Sequence, residues 1–386
     1  SCIASDAENL DAGQTSQKIL SLGPDIVGLS VGTVAVNNSI RIAKRLKSSN
    51  PDVVTVAGGP HPTVLPDEFF EGGFDFVVRG EGERTIVDLI SCVQGKKRIE
   101  DIPGLSYRSQ NSIIHNKPRQ MLKDLNTLPV PAWHLFPIER FRSDFKKTDR
   151  SLPILTSRGC PSRCTFCYKE LFGNRFRVRS PRHVIQEIIQ LKHQFDINEF
   201  SIMDDSFTSI PKRAIEICNL LVEENVNLPW SLPSGIRVDS VSEELIDALK
   251  RSGCYRVGFG VETGDPYIMQ SIKKDVTIDQ VRRAVEMAKT AGLITMCYFM
   301  IGNLQETEKQ VDKSIAFAIE LDPDFVQFGI ATPYPGTQMY KTLEKEGRIT
   351  SYNWDDYDSF NPNKMVFRHE NLTPELISIK LRQSYR

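Results

Sequence analysis

Residues 156–168, TSRGCPSRCTFCY, set Cys160, Cys164 and Cys167 within eight residues, directly after an apolar run at 153–157 that reads as a strand. At the cysteine frequency of this chain, chance would give that spacing in roughly three such chains per thousand. Three thiolates suit zinc or an iron–sulfur cluster, because both are thiophilic. A structural zinc site expects a fourth ligand, commonly from a second Cys or His pair. None is evident, since His183 and His193 lie on a predicted helix without such a pair. A [4Fe-4S] cluster on three thiolates needs no fourth protein ligand and leaves one iron open to a small molecule.

Downstream of the cysteines, apolar runs alternate with amphipathic segments. Strands are predicted at 153–157, 199–204, 230–235, 256–260, 294–301 and 325–331, with helices at 181–194, 211–224, 242–252, 277–291 and 307–321. Six such units predict a (β/α)6 partial or complete TIM-like barrel over 151–345, with functional side chains at the carboxyl ends of its strands. A C-terminal extension, 346–386, holds aromatic turns and a final helix from Pro374 that could cover one end. Trp133, Trp354 and Tyr357 read equally as packing residues or pocket walls.

Upstream, strands are predicted at 25–31, 53–57 and 74–78 and helices at 38–47, 66–70 and 83–92, the pattern of a parallel doubly wound sheet. Its strands end in Ser30 to Thr33, in Gly58-Gly59-Pro60-His61-Pro62 and in Arg79-Gly80-Glu81-Gly82-Glu83. Ligands of open α/β sheets bind at such strand ends; the alternative is that the glycines only make tight turns. A hairpin and extended tail fill 99–125, completing a front domain over 1–125, and proline-rich 126–150 reads as a linker.

Composition narrows the class. The 386 residues are 40% hydrophobic, enough for two or three packed domains, and 48 Lys and Arg balance 49 Asp and Glu. No global field draws the chain to nucleic acid or anionic lipid. No stretch approaches a membrane span and the start lacks a signal peptide pattern, so a soluble cytoplasmic protein is expected. Cys2, Cys92, Cys218, Cys254 and Cys297 are scattered, which fits a reducing compartment and small buried apolar residues.

The CxxxCxxC motif with the aromatic Phe166 before its last cysteine resembles the signature of the radical S-adenosylmethionine (SAM) superfamily. The resemblance implies a [4Fe-4S] cluster on Cys160, Cys164 and Cys167 whose open iron chelates SAM and cleaves it to a 5'-deoxyadenosyl radical. It places Phe166 near adenine and Asp204 and Asp205, in Met203-Asp204-Asp205-Ser206-Phe207, near the methionine amino group; both carboxylates could alternatively cap the next helix. It puts Arg237 near the carboxylate or ribose, and Glu262, in Gly258-Phe259-Gly260-Val261-Glu262-Thr263-Gly264, on SAM. A helix N-terminal charge is the plainer reading of Glu262. Gly302-Asn303-Leu304-Gln305-Glu306-Thr307 is similar to the family's GLPGET turn with Gln305 in place of its second glycine, and Thr332-Pro333-Tyr334-Pro335-Gly336-Thr337 to its PYPGT loop.

The front half resembles the cobalamin-binding branch of that superfamily. This implies a flavodoxin-like (Rossmann-type) domain that holds cobalamin through Ser30, Thr33, Gly58, Gly59, Gly80, Glu81 and Gly82, with His61 a loop hydrogen-bonding group. The family domain begins with a strand and helix that the chain lacks ahead of Asp6, and no DxHxxG cobalt-ligand loop occurs, so a partial front domain is expected. The implied activity is methyl transfer to an unactivated carbon or a phosphinate phosphorus, on a small-molecule or lipid substrate. A low-potential donor such as flavodoxin or ferredoxin would supply electrons. The rivals are a non-methylating cyclase or rearrangement enzyme similar to the anaerobic magnesium-protoporphyrin ester cyclase, and a zinc-stabilised regulatory protein.

Overall fold

A computed structural model describes residues 1–141, 145–361 and 363–385. Residues 142–144 of the expected linker, and 362 and 386 of the expected extension, lie outside the described residues. The first helix, α1 (Ala12–Ser21), is one that apolar periodicity does not announce. Its start signal is nonetheless present: Asp11 accepts from the Gln14 amide at 2.8 Å while the Gln14 side chain accepts from the Asp11 amide at 3.0 Å.

The front sheet then forms from β1 (Ile26–Ser30), α2 (Val36–Ser49), β2 (Val54–Gly58), the short helices α3 (Pro60–Val64) and α4 (Asp67–Glu71), β3 (Phe76–Val78) and α5 (Glu83–Val93), followed by a hairpin of β4 (Leu105–Ser109) and β5 (Ser112–His115). The strand order is β1-β2-β3-β4-β5, parallel through β3. The expected hairpin adds antiparallel to β3, which makes the whole sheet mixed. That pairing covers a strand edge that would otherwise be open.

After the bridging segment come β6 (Ser151–Ile154), a two-residue ribbon of β7 (Ser157–Arg158) and β8 (Arg177–Val178), α6 (Pro181–Phe195), β9 (Glu199–Ile202), α7 (Pro211–Glu223), β10 (Trp230–Ile236), α8 (Glu243–Arg251), β11 (Cys254–Glu262), α9 (Pro266–Ser271), α10 (Ile278–Thr290), β12 (Ile294–Ile301), α11 (Glu308–Leu321), β13 (Phe325–Ile330), α12 (Gln338–Lys345) and α13 (Pro374–Gln383). Six strands pair in parallel in chain order, β6-β9-β10-β11-β12-β13, and no pairing joins β13 to β6 among the described residues. The result is an open partial barrel, with the core between sheet and helices. Phe200 and Trp230 stack there at 5.6 Å, and both are fully buried.

One expectation in this half needs correction. The strand predicted at 153–157 breaks after Ile154, because the buried Asp204 carboxylate takes the Thr156 amide and the Thr156 and Ser157 hydroxyls, drawing the chain out of the sheet. The C-terminal extension packs against both halves of the molecule. Trp354 and Tyr357 pack with Val31, Val36 and Phe69 of the front domain, while Ile377 and Leu381 of α13 enter the barrel core. At the altered turn, Gln305 adopts φ 67°, the left-handed region a glycine enters freely. Holding a non-glycine residue there costs about 1–2 kcal/mol. Among the described residues no helix is long and apolar enough to cross a membrane.

Candidate active site

The cysteine loop is braced from the ends of β9 and β10. Asp204, 2% exposed, accepts from the Thr156 amide at 2.6 Å, the Thr156 hydroxyl at 2.5 Å and the Ser157 hydroxyl at 2.5 Å. Burial raises its carboxyl above the ordinary range, opposed by these bonds and by the nearby Arg213 guanidinium. Arg213 itself, lowered to about 10 by burial, donates to the Thr156 and Arg179 carbonyls. Asp205 accepts from the Gly159 amide at 2.9 Å. Arg237 grips Asp239 through two bonds, 2.9 and 2.6 Å, and donates to Ser162 inside the loop. The two aspartates and Arg237 thus fix the backbone and side chains that present the thiols.

Glu262 closes β11 at φ 73°, where the register with β12 shifts, and its carboxylate meets Lys274 Nζ at 2.7 Å. Strained backbone at a strand end marks a position the surroundings over-determine. Burial alone would lower the Lys274 ammonium, yet Glu262 and the thiols of Cys164 and Cys167 outweigh it and hold it above its usual value. Cys164 is brought down to about 7 by a hydrogen bond from Cys167, while the same bond raises Cys167. Phe166 lies between two small cavities, one shared with Glu262 and Tyr298.

The front-domain residues form one rim. Ser30 and Gly58 are register partners at the ends of β1 and β2. Gly59 has φ 106°, and a side chain there would meet the Val31 amide nitrogen at 2.9 Å, so only glycine fits. Gly80, at φ 75° with open space beside it, donates its amide to Thr63. Gly82 precedes α5. Thr33 reaches His61 Nδ1 at 3.2 Å, and the buried His61 ring packs edge-on to Trp354. Glu81 points elsewhere: its carboxylate is clamped by Arg158 at 2.8 Å and Arg177 at 2.9 Å and accepts from the Leu122 amide. It locks the front domain onto the ribbon beside the cysteines. Across the same junction, the Tyr168 hydroxyl donates to the Pro60 carbonyl at 2.8 Å.

Comparison with known proteins agrees with this layout. The radical SAM superfamily model matches residues 154–318, and the B12 binding domain model matches residues 5–90. An uncharacterized methyltransferase of Pyrococcus horikoshii is 35% identical over 385 residues, which cover 98% of this chain and 82% of that one. The chain belongs to the cobalamin-binding branch of the radical SAM superfamily. A second relative of this radical SAM protein, the anaerobic magnesium-protoporphyrin IX monomethyl ester cyclase of Rubrivivax gelatinosus, is 27% identical over 360 residues, 92% of the chain and 64% of the relative. The solved radical SAM methyltransferase TsrM of Kitasatospora setae shares the fold at TM-score 0.75 and 18% identity, over 96% of this chain and 80% of that one.

The donor set of the radical SAM chain is three thiols on one loop, the ligand type of an iron–sulfur cluster. Among the described residues no three His, Cys, Asp or Glu side chains converge on one metal position. Fe–S clusters are held by Cys thiolates, and the loop carries three free cysteines. Sequence reasoning missed Lys274, Arg158, Arg177 and Arg213. Lys274 is separated from Glu262 by twelve residues, and the arginines act only through contacts the fold creates. A basic pair at Lys273-Lys274 was the one local signal.

Proposed function

We propose that the chain is a cobalamin-dependent radical SAM methyltransferase acting on an unactivated carbon or a phosphinate phosphorus. The observation that carries this reading is the junction at Tyr168 and Pro60, which turns the front-domain rim toward the cysteine-bearing mouth of the barrel. Methyl transfer needs a methyl carrier and a radical source to share one shielded space. With both groups bound, the cluster would supply the electron that cleaves SAM, and cobalamin the transferable methyl group.

Cys160, Cys164 and Cys167 hold the cluster in this reading. Phe166 and Glu262 contact SAM, with Lys274 orienting the Glu262 carboxylate. Asp204, Asp205 and Arg237 position the loop. Ser30, Thr33, Gly58, Gly59, Gly80 and Gly82 offer small surfaces to a flat macrocycle, and Glu81 keeps the two units docked. The division into 1–125, 126–150, 151–345 and 346–386 goes with it. Eight free cysteines support a reducing cytoplasmic setting, with flavodoxin or ferredoxin as electron donor.

Anaerobic reconstitution tests the proposal. About four irons and four sulfides per chain, bound cobalt, deoxyadenosine and a methylated product are expected. Deoxyadenosine with an unmethylated product would move the chain to the cyclase type, and zinc without SAM cleavage would overturn the radical reading.

A further inference from the structure

The lumen of the barrel holds a cavity of about 530 Å³ between β6–β13 and the bridging segment. Its walls are largely apolar, with Trp133, Phe145, Met203, Pro233 and Met296 among them, and no acidic side chain lines it among the described residues. Arg256 stands in this wall. It is 6% exposed, its Nε has no hydrogen-bond partner, and no carboxylate comes within ion-pair distance of it among the described residues. Among the described residues, ring faces attend the guanidinium: Phe145 at 5.5 Å and Tyr255 at 5.8 Å.

Glu199, the acid beside Tyr255, is already satisfied by the Lys147 and Thr148 amides, the Thr148 hydroxyl and the Tyr255 hydroxyl. Lys146, the second cation in the wall, donates to the Phe141 and Ser151 carbonyls. Two further orphaned groups line the same cavity, Trp133 Nε1 and Ser151 Oγ. Buried donors are ordinarily paired, so three lacking acceptors around one apolar chamber mark where an acceptor belongs.

The chamber also borders the SAM side. Tyr298 and Gln327 line both it and the smaller cavity, about 200 Å³, that contains Phe166 and Glu262. Along β11, alternation puts Arg256, Gly258 and Gly260 on one face below Glu262. A side chain at Gly258 would meet the Tyr298 ring at 2.8 Å, so glycine lets that ring lie across the strand. From Arg256 to Glu262 is roughly 20 Å at about 3.3 Å per residue.

We infer that this chamber binds the substrate, and that the substrate is an elongate, mostly apolar organic acid whose carboxylate or phosphate oxygens accept from Arg256, Trp133 and Ser151. This rests on the radical SAM reading of the Glu262 end and names what the far end recognises. The guanidinium anchors the anion while the apolar body runs past Tyr298 toward the reacting site.

The test follows binding to the full chain by intrinsic tryptophan fluorescence, using decanoate, decyl phosphate and uncharged decanol as probes, with deoxyadenosine formation measured separately on the wild type. At least one anion is expected to bind about tenfold or more tightly than decanol, and the two anions tell carboxylate from phosphate. Arg256→Met should abolish the preference, and Arg256→Lys should retain part of it. Decanol binding as tightly as both anions, or a preference intact in Arg256→Met, would overturn the inference. Should the Met variant fail to fold, the wild-type comparison and the Lys variant decide. An anion preference without SAM cleavage would leave the chamber standing and sink the enzymatic reading; cleavage without the preference would do the reverse.

Discussion

Around the cysteine loop, Asp204 accepts from Thr156 and Ser157, Glu262 pairs with Lys274 and Arg237 grips Asp239, whereas at the other end of the same lumen Arg256 faces aromatic rings and, among the described residues, no acid. Paired charge fixes a shape before any ligand arrives; an unpaired buried charge stays costly until a ligand completes it. The most severe way to break the contrast is to empty a paired site. Asp204→Ala leaves the Thr156 amide and two hydroxyls without their acceptor and Arg213 without its neighbouring anion. The expected cost is about 3–5 kcal/mol, read from the denaturant midpoint, together with reduced iron loading. A loss under about 1 kcal/mol would mean the loop holds its shape without this brace.

Much of this contrast's first half was legible in sequence. The barrel strands and helices follow apolar periodicity closely, and β12 coincides with its predicted span. The cysteines, Asp204, Asp205, Arg237 and Glu262 gather at one barrel mouth as their strand-end positions imply. Partners were harder. Glu81 sits in a glycine-rich turn that looks like a ligand loop, yet Arg158 and Arg177, distant in the chain, claim its carboxylate. Local sequence carries no trace of such a pairing. Trp354 and Tyr357 likewise reveal their packing only once the extension folds back on the front domain. Arg256 reads as an ordinary strand residue, because what distinguishes it, a buried guanidinium with no acid partner among the described residues, exists only in three dimensions.

A titration sharpens the comparison from a buried group that is only half satisfied. Glu306 accepts from the Gly302 amide at 2.7 Å and the Asn303 amide at 3.0 Å through one oxygen, while the other has no hydrogen-bond partner among the described residues. Burial raises its carboxyl from the ordinary 4.5 to about 7. A folded-state value above the unfolded one means full stability below about pH 4.5, lost as pH rises toward and through 7. Relative to Glu306→Gln, the wild type should lose about 3 kcal/mol across that window. Parallel stability curves for the two proteins would show that the unpaired oxygen finds compensation in solution.

The smallest predicted effect has the opposite sign, and it separates an unfinished charge from a structural one. If Arg256 were a strut, like Arg213, its removal would destabilise the barrel. It makes no hydrogen bond or ion pair through its guanidinium among the described residues, and stacking on Phe145 and Tyr255 is worth only about 0.5–2 kcal/mol. Arg256→Met keeps an apolar stem of similar reach and removes the burial cost of the charge, so the denaturant midpoint should rise, by about 1–3 kcal/mol of stability. A fall of the size expected for Asp204→Ala would place Arg256 among the braces and dissolve the distinction between the two ends of the lumen. A rise accompanied by loss of anion binding would show one residue trading fold stability for recognition, which is how a binding site differs physically from the scaffold that carries it.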